Sequence, residues 1–219
     1  MNKEDVLKQI AEELGSVAIY DEYRNHVGAL DSKEVRIGVL GQSNTGKTTF
    51  INALLGADIP TSNLPSGINY VIAYGQENSE AKDESTSTQT MHIRNEWLEK
   101  NNVIIREINA DIVLEEITQI ELCKLLSNCD VCVYLMNAQS ALNRTDMFVL
   151  QNLHEVNIPT LLVLSRTDFL DDEAYSQVLE FIRGNLQKYS RIEILDRKKT
   201  LQTKGVAEDL QASVLALLT

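Results

Sequence analysis

The 219-residue sequence predicts an α/β domain: a mostly parallel sheet with helices on both faces, preceded by an N-terminal helical extension. Three observations carry this. Short apolar runs of strand length alternate with longer stretches whose apolar residues recur every three or four positions. The first strand-like run leads straight into a glycine-rich loop and then a helix. The chain length suits one large domain, able to bury about 70% of the surface its unfolded form exposes.

The elements follow in order. Residues 1–30 read as the extension, with Val6, Ile10, Leu14, Val17, Tyr20, Tyr23 and Val27 on a helical stripe that Gly15-Ser16 interrupts. Asp31-Ser32 reads as a turn, and the domain proper runs over 33–219. Val35 to Leu40 reads as a buried strand. A helix follows over 48–55 and ends at Gly56. Residues 69–74 read as a strand. Residues 75–91, dominated by Ser, Thr, Gln and Glu, read as a mobile loop. The remainder reads as strand 103–108, helix 113–127, strand 130–136, helix 144–156, strand 160–165, helix 171–188, strand 191–195 and helix 206–218.

Composition limits the function. With 43% hydrophobic and 24% charged residues, the chain is neither disordered nor collagen-like. Asp and Glu number 32 against 20 Lys and Arg, a net charge of −12. Such a protein has no broad attraction for a phosphate backbone, so nucleic acid is not the expected partner. Anions must bind at a local, preorganised site. A polar N-terminus and the lack of an 18-residue apolar window predict a soluble, cytoplasmic protein without direct membrane insertion, with peripheral attachment through other regions or partners as the alternative. Cys129 and Cys132 form a C-x-x-C, a spacing compatible with a redox pair or half a zinc site. They straddle the entry to an apolar run, Cys123 stands apart, and no second Cys/His pair sits at metal spacing. Thiols packed as small hydrophobes are the expectation.

The most specific motif is Gly41-Gln42-Ser43-Asn44-Thr45-Gly46-Lys47-Thr48, a complete G-x-x-x-x-G-K-[ST] between a predicted strand and a predicted helix. Its glycines let backbone wrap a phosphate. Amides of Asn44, Thr45, Gly46, Lys47 and Thr48, with Thr49 following, are expected to face the ligand at the helix N-terminus. Lys47 reaches the β- and γ-phosphates, and the Thr48 hydroxyl is the expected Mg2+ ligand. The fold expectation sharpens to a P-loop nucleoside-triphosphatase domain. A second motif, Ser165-Arg166-Thr167-Asp168, closes the strand at 160–165 and resembles the [NT]-K-x-D base-reading motif of GTP-binding proteins, with Ser165 in place of Asn or Thr and Arg166 in place of Lys; the roles that follow are what that resemblance implies. A carboxylate at Asp168 accepts two hydrogen bonds from guanine, which adenine has no donors to make. Arg166 would brace the base and the phosphate loop. The alternative role for Asp168 is an N-cap on the helix that follows.

The segment from Gly41 to Gly56 resembles the opening of bacterial dynamin-like GTPases. Residues Ile59 to Gly75, Asp130 to Asp146, Ser165 to Asp168 and Gly205 to Leu210 resemble later landmarks of that family in order. The resemblance covers about residues 33–219, the GTPase domain, without the assembly stalk or membrane-binding tip. It implies a GTPase-type fold that binds GTP or GDP with Mg2+. The departures are specific. Gly67 stands where the family's switch threonine belongs, with Ser66 adjacent. The family's D-x-x-G is absent; one register puts Glu107-Ile108-Asn109-Ala110 there, another Asn109-Ala110-Asp111-Ile112, and Glu107 or Asp111 is a candidate to hold a Mg2+ water. Ser43 replaces a glutamine found in eukaryotic members. Asp196-Arg197 stands where a base-supporting Ser-Ala belongs. Binding elements persist while hydrolysis elements are eroded, and Lys47, Thr48, Ser43 and Ser66 are the candidates to carry chemistry.

Three function classes follow: a slow GTPase dependent on a partner or domain pairing, a non-hydrolysing nucleotide switch or scaffold, and an ATP-dependent phosphotransferase. The third is disfavoured by the guanine-type motif and by the lack of arginine in 75–91. Residues 3–29 are expected to meet the C-terminal helix in part, and a second subunit or a stalk in part. His26, His92 and His154 are scattered, and Trp97 reads as packing.

Overall fold

The computed structural model describes residues 34–57, 69–83, 88–109, 126, 128–189, 191–195 and 206–218. The extension, Ser66 and Gly67, Asp111, most of the helix expected over 113–127, and Asp196-Arg197 lie outside the described residues.

The sheet grows from its centre. Strand β1 (Val35–Gly41) has Ile37, Val39 and Leu40 fully buried, so both of its faces are covered. Near-continuous apolar sequence is what a strand between two helical layers requires. Its neighbours are β5 (Val103–Asn109) and β6 (Val131–Asn137), both parallel to it. Beyond β6 come β7 (Thr160–Ser165) and β8 (Ile192–Leu195), again parallel. On the other side β2 (Asn69–Tyr74) pairs antiparallel with β5 and parallel with β4 (Thr88–Ile93). Strand β3 (Ser79–Asp83) closes that edge antiparallel to β4. The order is β3-β4-β2-β5-β1-β6-β7-β8. The mostly parallel α/β sheet expected from the sequence is the one found.

Residues 75–91 depart from expectation. They hold β3 and the first part of β4 rather than a structureless loop. Their polar composition conceals an alternation that pairing makes useful: Met91 points into the core while its neighbours Thr90 and His92 are half-buried. Polar residues suit an outer hairpin, since charge and polarity at a sheet edge discourage unwanted pairing. A short helix not anticipated from sequence, α2 (Glu96–Asn101), lies between β4 and β5. Asn95 caps it by accepting from the amides of Trp97 and Leu98. Trp97 packs half-buried on the core, as its packing reading requires.

Helices cover both faces. On one, α1 (Lys47–Leu55) buries Phe50, Ile51, Leu54 and Leu55, and α5 (Val206–Ala216) buries Val206, Leu210 and Val214. The Gln211 amide donates to the Leu54 carbonyl, tying α5 to α1. Those three α5 residues belong to the same core cluster as Phe50, Ile51, Leu54 and Leu55. On the other face lie α3 (Arg144–Glu155) and α4 (Asp172–Leu186). Helix α4 buries Tyr175, Leu179, Ile182 and Leu186, the spacing of a single helical stripe. Burying each such side chain contributes about 1.5–3 kcal/mol.

The two described cysteines are buried. A β-carbon added at Gly38 of β1 would lie 2.8 Å from the Cys129 sulfur and 3.3 Å from that of Cys132. The thiols therefore occupy the volume that Gly38 leaves empty. Cys132 donates to Cys129, and that contact with burial pushes its own thiol well up. Among the described residues no group of His, Cys, Asp and Glu is arranged to hold a metal.

Candidate functional site

The loop between β1 and α1 is shaped by its own backbone. Asn44 and Gly46 adopt left-handed conformations, with φ of 61° and 87°. Glycine takes this conformation without penalty, and asparagine tolerates it better than most residues. The Thr45 hydroxyl and amide both donate to the Gln42 carbonyl, at 2.8 and 3.3 Å. Gly41 admits no side chain: a β-carbon there would lie 2.5 Å from the Thr45 hydroxyl oxygen and 2.9 Å from the Leu135 carbonyl oxygen. Helix α1 begins with no side-chain cap and no acidic residue in its first turn. Its positive end is thus open toward the loop.

Lys47 is only 7% exposed and folds over the loop, donating to the carbonyls of Gly41 at 3.1 Å and Gln42 at 3.0 Å. The Thr48 hydroxyl donates to Glu107 Oε2 at 3.2 Å. Glu107 thus reaches the loop, while Asp111 lies outside the described residues. Burial pushes the Glu107 carboxyl above its ordinary value, opposed by the Lys47 charge and the Thr48 hydrogen bond. A hydroxyl and a carboxylate side by side form a hard oxygen donor set that suits Mg2+. Ser43, Asn44 and Thr49 are exposed around this centre.

The base motif meets the same loop. Ser165 is buried and donates to the Met136 carbonyl at 3.2 Å, turned toward β6. Arg166, itself left-handed at φ 56°, donates through Nε and Nη2 to the Asn44 carbonyl at 3.3 and 2.9 Å. Arg166 is thereby hydrogen-bonded to the 41–48 loop. Asp168 sits exposed in a 3-10 turn, Thr167–Phe169. It does not cap the next helix: Asp171 does, accepting from the Ala174 amide at 2.8 Å.

A further tether was not anticipated. The Gln42 side chain donates to Asn143 Oδ1 and Asp146 Oδ1, both at 3.0 Å. Tyr134 donates to the same Asp146 oxygen at 2.6 Å. Asn143 and Asp146 also form a reciprocal cap at the start of α3. Burial pushes the Asp146 carboxyl up, against hydrogen bonds from Tyr134, Asn143, Gln42 and Leu142. The N-x-x-D spacing is a legible helix start, but its grip on the phosphate loop is not a local signal.

Comparison with known proteins agrees with this geometry. Residues 36–166, more than half of the chain, match the family described as 50S ribosome-binding GTPase. The chain belongs to this GTPase family. As a GTPase domain it is 23% identical over 157 residues to GTPase Era of Fusobacterium nucleatum subsp. nucleatum, covering 71% of this chain and 48% of that protein. It is 24% identical over 144 residues to GTPase Der of Clostridium kluyveri, covering 65% of this chain and 30% of that protein. The chain therefore spans less than half the length of these curated relatives. Its fold is that of an oligomerised bacterial dynamin pair described as a mechanism for long-range sensing and tethering of membranes. That likeness has TM-score 0.63 and 18% identity, over 97% of this chain and 42% of that one. A variant of Aquifex aeolicus Era bound to GDP.AlF4- shares the fold at TM-score 0.53 and 16% identity, over 86% of this chain and 58% of that one. The P-loop GTPase fold implied by the dynamin-like resemblance is the fold found. Among the described residues no helix is long and apolar enough to cross a membrane.

Proposed function

We propose that this domain binds GTP and GDP with Mg2+ at the 41–49 loop, reads guanine through Asp168, and hydrolyses GTP slowly without a partner. One observation carries the reading: Arg166 is hydrogen-bonded to Asn44, so the base-reading turn and the phosphate loop form one continuous surface. Gly41, Asn44, Thr45, Gly46, Lys47, Thr48 and Thr49 enclose the phosphates, with Lys47 exchanging its two carbonyl partners for phosphate oxygens. Thr48 and Glu107 would hold Mg2+, which neutralises charge on the phosphates when bound. Asp168 accepts from the guanine ring, a role supported by Asp171 having the cap.

Slow turnover follows from the eroded elements. Gly67 stands at the switch-threonine position with Ser66 beside it, the D-x-x-G is lost, and Ser43 stands where eukaryotic members carry a glutamine. The same erosion favours a second reading, a nucleotide-loaded switch that scarcely hydrolyses. A dynamin-like role, with residues 3–29 meeting a second subunit or a stalk, is part of this proposal and draws on the structural likeness alone. Replacing Asp168 by Asn should weaken GTP binding tenfold to a hundredfold, on the order of 1.5–3 kcal/mol for a bidentate charge-assisted contact. Competition titrations of GTP against ATP test this. Equal affinity in the unmodified protein overturns guanine reading, and single-turnover hydrolysis near about one per second without a partner overturns the slow-enzyme reading.

A further inference from the structure

The Tyr70 hydroxyl is buried and has no hydrogen-bond partner among the described residues, in a side chain only 3% exposed. A hydroxyl taken out of water without a partner is a standing cost, so its position calls for explanation. In the sheet, Tyr70 of β2 stands directly opposite Glu107 of β5, and Glu107 stands opposite Val39 of β1. Directly opposed residues share a face, with β-carbons about 4.5–5.5 Å apart. Val39 and Tyr70 belong to the core packed under α1, so Glu107 and Tyr70 lie on the side where Thr48 begins that helix.

Glu107 receives the Thr48 hydroxyl at one of its two oxygens, Oε2. A glutamate has one more rotatable bond than an aspartate, so a single hydrogen bond fixes its carboxylate less well. The competing acidic neighbour of Tyr70, Glu80 of β3, is exposed and already accepts from the Gln89 amide at 3.0 Å. Burial pushes the phenol up, and the Glu107 and Glu80 charges push it further in the same direction.

We infer that Tyr70 is a positioning residue for Glu107: its hydroxyl donates to the second carboxylate oxygen when a divalent cation occupies the Thr48–Glu107 site. Thr48 and Tyr70 then hold one carboxylate from two sides, and the longer side chain is fixed where a shorter aspartate would need less support. The inference rests on the proposed nucleotide and Mg2+ site and adds a residue to it. It explains why the core tolerates an unpaired phenol where phenylalanine would pack as well.

The experiment uses Tyr70→Phe in the full chain, loaded with a fluorescent GDP analogue. Release of the analogue is followed over a range of free Mg2+ concentrations and in EDTA. The expected result is an unchanged release rate in EDTA and a half-saturating Mg2+ concentration raised about tenfold, the loss of one hydrogen bond to a charged group. In a Glu107→Gln background, Tyr70→Phe should add nothing. Thermal unfolding without nucleotide or Mg2+ should show Tyr70→Phe as stable as the unmodified protein or more so. An unmoved Mg2+ midpoint, or an equal shift in the Glu107→Gln background, overturns the role of Tyr70 while leaving the nucleotide site standing. Reduced stability without Mg2+ also overturns it, by showing the hydroxyl already bonded. Failure of the unmodified protein to retain any guanine nucleotide in EDTA or Mg2+ overturns this inference together with the reading of the site.

Discussion

Replacing Gly41 by Ala adds a single methyl group at the most crowded point of the phosphate loop. The new carbon would lie 2.5 Å from the Thr45 hydroxyl oxygen and 2.9 Å from the Leu135 carbonyl oxygen. The carbonyl cannot retreat, because Gly41 and Leu135 are partners in the central β1–β6 ladder. Thr45 must therefore move, breaking its 2.8 Å hydrogen bond to the Gln42 carbonyl. Overpacking of this kind costs about 1–3 kcal/mol, and the lost hydrogen bond about 0.5–1.5 kcal/mol. The expected destabilisation is about 2–4 kcal/mol. Gly56→Ala is the comparator: its β-carbon meets nothing within 4 Å, and the φ of 61° leaves only backbone strain, about 1–2 kcal/mol. Urea unfolding followed by circular dichroism, with nucleotide removed, gives both numbers. Titration with fluorescent GDP should show Gly41→Ala weakened far more than Gly56→Ala, since only the former distorts the loop. If Gly41→Ala unfolds within about 0.5 kcal/mol of the unmodified protein, or no lower than Gly56→Ala, the crowding argument is wrong.

Two further outcomes follow from the structure. Asp146→Asn sets an amide donor against the Asn143, Gln42 or Tyr134 donors and should cost about 1–3 kcal/mol. Burial raises the Asp146 carboxyl in the folded state, so its contribution is fully present below the unfolded value of about 3.9 and lost as pH rises through the folded one. The gap between the unmodified protein and Asp146→Asn should accordingly widen from pH 7 toward pH 4, read by urea midpoints at each pH. Gly184 lies on the exposed side of α4 with open space around it, so Gly184→Ala should stabilise by about 0.5–1 kcal/mol in the same assay.

The legible parts of this protein are those where sequence neighbours are also spatial neighbours. Gly41 to Thr48 carries strand end, loop and helix start in eight consecutive residues, and the fold follows them closely. The strand Leu161 to Ser165 and its turn to Asp168 are equally local. The hairpin at 79–93 is not local in this sense: its polar residues become strands because β2 supplies a partner, and composition records no partner. Glu107 could be narrowed only to two registers, because they start two residues apart, at Glu107 and Asn109, and a two-residue shift leaves a side chain on the same face, so periodicity cannot choose between them. The partnership of Gln42 with Asp146 spans 104 positions, and that of Arg166 with Asn44 spans 122. The second was anticipated from a family resemblance, while the first had no such guide. Tyr70 reads in sequence as one more aromatic strand residue, and only cross-strand register brings it opposite Glu107.

The thiols packed over Gly38 bear on how this sequence can drift. Positions 38, 129 and 132 share one fixed volume, so they should change together or hardly at all. A β-carbon at position 38 calls for a residue smaller than cysteine at 129, where the approach would be 2.8 Å, before it calls for any change at 132. Among close homologues, alanine at 38 should therefore travel with glycine or alanine at 129, and a lone substitution at 38 should be selected against although it lies outside the proposed nucleotide site.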